Sequence, residues 1–169
     1  MKIAINDVEL TFNKSGADGN STVWYSTVHY NQYELDFEFD EVLFFDKKSN
    51  KTTICWKLIE KFVDNILKNL DLIQSKGSSV LEELHRQVFG LDELVKTKGY
   101  FRIGGIALKK LWNHGLVIEE DSRIIPNFEY DIYYFLESKE DRLMDPYHSY
   151  FAHFSNHNNL TITGVSRFG

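Results

Sequence analysis

Four carboxylates at alternate positions, Glu34, Asp36, Glu38 and Asp40, are the feature of this chain that comes nearest to a site. In an extended segment, side chains two apart share a face at about 7 Å spacing, so the four acids would stand in one row. Like charges that close repel, and a cation opposite them relieves the repulsion. The row therefore reads as a binding surface for a basic protein, with Tyr33 and His29 beside it. A divalent ion is a second use for such a row. A solvated face that keeps a sheet edge from aggregating is a third.

Other reactive residue types form weaker patterns. Among six histidines, His148, His153 and His157 are the nearest cluster. Their spacing does not match a metal-binding helix such as His-Glu-x-x-His, and on a strand His148 would point away from the other two. A polar hairpin accounts for them, and His29 reads equally as a satisfied sheet residue. The single cysteine, Cys55, cannot pair within the chain or build a thiolate zinc site alone, and it reads as a core residue. No Gly-x-Ser-x-Gly elbow is present, and residues 99–105 lack both the phosphate-binding loop and the dinucleotide glycine pattern. The expectation is therefore no catalytic residues, no metal and no cofactor.

The elements that must position the acidic row can be read from periodicity. Residues 2–6, 8–13 and 22–30 are strand candidates, with turn chemistry at 15–20 and a tight connection at Asn31-Gln32. In residues 33–46, Tyr33, Leu35, Phe37 and Phe39 alternate with the four acids, the mark of a strand with one wet face. The alternation breaks at Glu41, which suggests a bulge or a sheet edge. An i, i+4 apolar stripe from Ile54 to Leu70 predicts one long amphipathic helix. Ser79-Val80-Leu81-Glu82 resembles a capping box and predicts a shorter helix ending near Phe89. Residues 91–125 are ambiguous, with 108–113 readable as a helical turn or a strand. Residues 128–137 alternate again, and 147–154 with 160–168 read as a C-terminal hairpin. Trp24, Trp56, Trp112 and the tyrosines of 130–134 read mainly as core. Strands, helices and strands again imply an α+β fold, an antiparallel sheet packed against one long and one shorter helix.

At 169 residues, with ordinary apolar and charged shares, the chain fits one domain over 1–169 with a core of its own. No apolar run reaches the length of a membrane span or a leader, so the expectation is a soluble, cytoplasmic protein without a membrane partner. The charge is uneven: residues 1–46 hold nine acids against two lysines, while residues 47–123 hold ten acids against fourteen bases. An acidic first third disfavours nucleic acid and favours a basic partner drawn by the long-range field.

The end of the chain carries a resemblance. Asp145-Pro146-Tyr147-His148 precedes a strand, Asn158-Asn159 and a final strand containing Gly164. With the acidic β-rich start and the long helix, this resembles a loose group of small bacterial proteins, many of them suspected immunity proteins of contact-dependent or polymorphic toxin systems. The chain differs from that group in its bulky Tyr147 and Tyr150 and in a longer insertion through 91–125. The resemblance implies a toxin as partner and no catalytic residues. Taken together, the sequence points to a non-enzymatic binding protein. A metal-assisted hydrolase using the same carboxylates with His148 or His153, and a homo-oligomer subunit joined at a strand edge, are its alternatives.

Overall fold

The computed structural model describes residues 1–5, 7–16, 22–89, 99–112, 127–138, 145, 147–156 and 159–169. Eleven strands and two helices are formed by these residues, with β1 (Lys2–Ile5) and β2 (Val8–Thr11) paired as a small antiparallel ribbon. The main sheet has seven strands in the order β11-β10-β9-β8-β5-β4-β3. They are β3 (Asn13–Gly16), β4 (Thr22–Tyr30), β5 (Tyr33–Asp40), β8 (Tyr100–Trp112), β9 (Asn127–Glu137), β10 (Ser149–Ser155) and β11 (Thr161–Phe168). Every neighbouring pair is antiparallel except β5 and β8, which run parallel. A parallel pair needs a crossover, and the two helices lie in it. The fold is α+β, as composition and periodicity indicated.

One face of the sheet is covered and forms the core. Leu35, Phe37 and Phe39 of β5 and the even-numbered residues of β9 from Phe128 to Leu136 point into it. Helix α1 (Trp56–Lys68) buries its Leu58, Ile59, Phe62, Val63, Ile66 and Leu67 stripe there. Phe62 meets the rings of Phe37, Phe128 and Tyr130 at centroid distances of 6.3, 5.3 and 5.6 Å. Aromatic contacts of this kind add to the burial that drives the packing.

The two helices differ from the sequence expectation in length and start. Helix α2 runs Leu70–Phe89 without a break, so it is the longer one, and Ser79 lies inside it instead of capping it. The polar stretch that looks like a breaker has tertiary work instead. Beyond the reach of β5, the outer edge of β8 has backbone groups with no strand to pair with. Gln74 fills that place: its Nε2 donates to the Phe101 carbonyl at 2.5 Å and its Oε1 accepts from the Ile103 amide at 2.9 Å. Ser78 Oγ donates to the same carbonyl at 3.0 Å. A side-chain amide thus takes over one rung of the ladder, which backbone groups removed from water require. No helix of the described residues is long and apolar enough to cross a membrane.

Two further expectations change. Strand β5 stops at Asp40, whose carboxylate accepts from the Val42 amide at 2.8 Å and starts a 3-10 turn over Glu41–Phe44. The segment beyond it, read as continued strand, forms only the short ribbon of β6 (Phe45–Asp46) with β7 (Lys51–Thr52). Nor is β5 a sheet edge: it lies between β4 and β8, so its acids do not serve to guard one.

Candidate functional site

The other face of the sheet carries no described helix or strand, and the acidic residues stand on it. Glu34, Asp36 and Glu38 are exposed, and Asp40 at the end of the row is partly exposed with one oxygen committed to its cap. His29 is exposed on the neighbouring strand, in register with Glu34. Tyr33 does not join them. It is 6% exposed and points to the covered side, as the alternation of a strand requires.

The surroundings of the row come from register. Asp36 and Glu38 have Thr27 and Tyr25 as antiparallel partners on β4, and the Thr27 hydroxyl donates to Asp36 at 2.5 Å. On the other side their parallel partners are Gly105 and Ala107. These offer almost no side chain, so a trough of about 260 Å³ opens beside the acids. Tyr133 and Phe151 form its far wall, and Asp131 its end. No described lysine or arginine forms an ion pair with Glu34, Asp36 or Glu38.

The far wall is part of an aromatic band that alternation alone does not single out. Tyr133 packs edge-on to Phe135 at 4.7 Å and against Phe151 at 5.4 Å, and Phe151 meets Phe168 at 5.8 Å. All four lie on the open side, and Phe168 is 62% exposed. Tyr130 and Tyr134, by contrast, are core residues whose hydroxyls burial pushes far up in pKa. The tyrosine-rich strand therefore divides between the two faces.

A second, wider cleft of about 740 Å³ lies where the start of β5 diverges from β8. Arg102 and Glu137 cross it in a two-point ion pair, Nε to Oε2 at 2.8 Å and Nη2 to Oε1 at 2.6 Å. The Tyr100 hydroxyl donates to Glu137 at 3.2 Å. Hydrogen bonds from Arg102 hold the Glu137 carboxyl below the usual range, and Glu137 in turn raises Arg102. The arginine is thereby satisfied and not available for an anion.

His148 and His153 are separated, each with its own carboxylate. His148 Nδ1 lies 2.7 Å from Asp145 Oδ1, while the Tyr150 hydroxyl donates to the other oxygen at 2.6 Å. Burial raises the Tyr150 hydroxyl to about 12. For Asp145, burial pushes its carboxyl up, but the bonds from Tyr150 and His148 outweigh that and the net shift is downward. His153 Nδ1 lies 2.5 Å from Asp131. His157 lies outside the described residues, as do 91–98 and 113–125 of the ambiguous insertion. Among the described residues no three His, Cys, Asp or Glu side chains converge on a point that could hold a metal. Cys55 is free and only partly buried, at the residue before α1.

The lowered carboxyl groups predict acid sensitivity. A carboxylate depressed in the folded state adds stability above its unfolded pKa, about 4.3 for Glu and 3.9 for Asp, and loses it as pH falls through the folded value. The melting temperature should fall below about pH 4.5, and Arg102→Met should flatten that fall by removing the share of Glu137. Identical acid limbs in the two proteins would contradict the assignment. Compared with known protein families, curated proteins and solved structures, the chain finds no match.

Proposed function

We propose that the chain is a protein-binding module acting in the cytoplasm, and that the open face of its sheet docks a basic protein. The observation that carries this is the placement of Glu34, Asp36 and Glu38. All three are exposed and in the middle of a sheet instead of at its margin, and none forms an ion pair with a described lysine or arginine, although Glu34 lies in the field of Arg102. Keeping like charges in a line costs stability. A partner that brings the missing cations recovers that cost.

The trough adds shape to charge. Its floor of Gly105 and Ala107 leaves depth beside the carboxylates, and Tyr133 and Phe151 offer ring surface opposite them. Arginine and lysine side chains fit such a setting, with an apolar stem against rings and a charged head at the acids. Electrostatic attraction speeds encounter, and buried aromatic contact supplies the lasting affinity. The resemblance to immunity-type proteins makes a toxin with a basic surface the partner class we favour.

The test is a binding footprint. A decaarginine peptide titrated into isotopically labelled protein should shift the backbone amide signals of 34–38 and 105–107 most. Equal shifts at the exposed acids of α2, Asp71 and Glu83, would mean that the peptide follows overall charge and that the open face is no site.

A further inference from the structure

Three side chains on β9, β10 and β11 form a hydrogen-bonded chain, of which Asp131 also closes the end of the docking trough. Asp131 Oδ1 lies 2.5 Å from His153 Nδ1, and His153 Nε2 lies 3.1 Å from Ser166 Oγ. With Nδ1–H donated to the carboxylate, Nε2 is left as an acceptor for the serine proton, the order that serine nucleophiles need. Lys109 Nζ lies 3.9 Å from the second oxygen of Asp131. Register produces the alignment. His153 is opposite Asp131 on one side and Gly164 on the other. A side-chain carbon at 164 would come within 3.2 Å of the imidazole Cδ2, so the glycine leaves the ring free to reach Ser166.

The setting also offers a bed for a substrate. Ser166 is in register with Phe151, and Phe168 stands two residues further along the same face in ring contact with it. An apolar acyl group would lie on these rings beside the hydroxyl. Among the described strands β11 is the last in the sheet, which leaves alternate backbone N–H groups without a strand partner. Free N–H groups are the donors that a developing oxyanion requires.

We propose that Ser166, His153 and Asp131 are a serine acyl-transfer site that hydrolyses small esters with an apolar acyl group. Ser166 Oγ attacks the ester carbonyl carbon while its proton passes to His153 Nε2. The carbon–oxygen bond to the leaving group then breaks, and His153 returns the proton to the departing alkoxide. Water, deprotonated by the same nitrogen, releases the acyl group as a carboxylic acid and restores the serine. Asp131 is the positioning residue that fixes the imidazole orientation. Three residues from three strands leave no local motif, which is why a search for a nucleophile elbow misses them.

The intact chain is incubated with a fluorophosphonate, and the modified residue is located by mass spectrometry. Phosphonylation of Ser166 at least tenfold faster than of Ser149, which stands on the same face of β10, supports the site. Equal labelling of the two serines overturns it. With p-nitrophenyl acetate, wild type should release nitrophenolate about 10²-fold faster than buffer, the scale of general-base assistance. Ser166→Ala, with melting temperature unchanged, should lose at least nine-tenths of that rate. A Ser166→Ala protein that keeps the rate, with acetyl found on His153, would show a merely nucleophilic imidazole and refute the proposal.

Discussion

Gly77→Ala is expected to destabilise the protein by about 3 kcal/mol, although alanine is the better helix former. Helix propensity favours alanine by about 1 kcal/mol in a helix interior. Position 77 is buried inside α2, and a Cβ built there would overlap the phenol end of Tyr134. Tyr134 is fully buried, and its hydroxyl donates to the Ile73 carbonyl at 3.0 Å. To make room the ring must move or α2 must lift from the sheet. Overpacking costs about 1–3 kcal/mol. A buried hydroxyl left without its partner costs about 1–3 kcal/mol more. Together these exceed the propensity gain, and in a chain of this size the melting temperature should drop by about 10 °C. Tyr134→Phe in the same chain should recover part of the loss, because it removes the oxygen that Cβ overlaps. A single variant that melts within about 2 °C of wild type would mean that α2 does not seat against Tyr134 as described.

The same glycine shows where the sequence was hard to read. The stripe of α1 and the alternation of β5 and β9 are legible because each buries one regular face of a regular element. The centre of α2 is not, because Gln74, Gly77 and Ser78 were chosen for what they meet on β8 and β9 and not for helix formation. Strand β8 is hidden for another reason. Its core residues are Phe101 and Ile103 before Gly104, but Ile106 and Leu108 after it. The extra residue at Gly104 is a bulge opposite Tyr134 and Tyr133, and it shifts the alternation by one. A second shift between Leu108 and Lys110 moves it again, so the alternation across residues 100–112 is broken into short stretches of opposite phase.

The candidate site divides in the same way. The acidic row is local and visible as i, i+2 spacing, and the same spacing places Tyr33 on the opposite side. The trough is not local. It exists because Asp36 and Glu38 are in parallel register with Gly105 and Ala107, across a crossover that holds both helices. The aromatic wall and the Asp131–His153–Ser166 chain likewise depend on the register of β9, β10 and β11. Such pairings are set by the whole fold, so residue spacing carries no trace of them.

The second large effect concerns docking itself. Replacing Asp36 and Glu38 with lysine exchanges two negative for two positive charges at the middle of the open face. No described cation pairs with either residue, so the exchange removes repulsion along the row and should not lower the melting temperature. Encounter with a basic probe should slow by at least about tenfold at low ionic strength, because steering depends on the local field. The difference should shrink as salt rises, since at about 0.1 M the screening length is already near 10 Å. An equal change in net charge on the helical side, Asp71→Lys with Glu83→Lys, serves as the comparison.

The decisive measurement is the stopped-flow association rate of fluorescent decaarginine with these three proteins over a range of salt. Only the β5 variant should lose most of its rate and its salt dependence, while the helix variant stays within about twofold of wild type. If both charge exchanges slow binding alike, attraction comes from the molecule's total charge, and the open face has no claim to be a docking site.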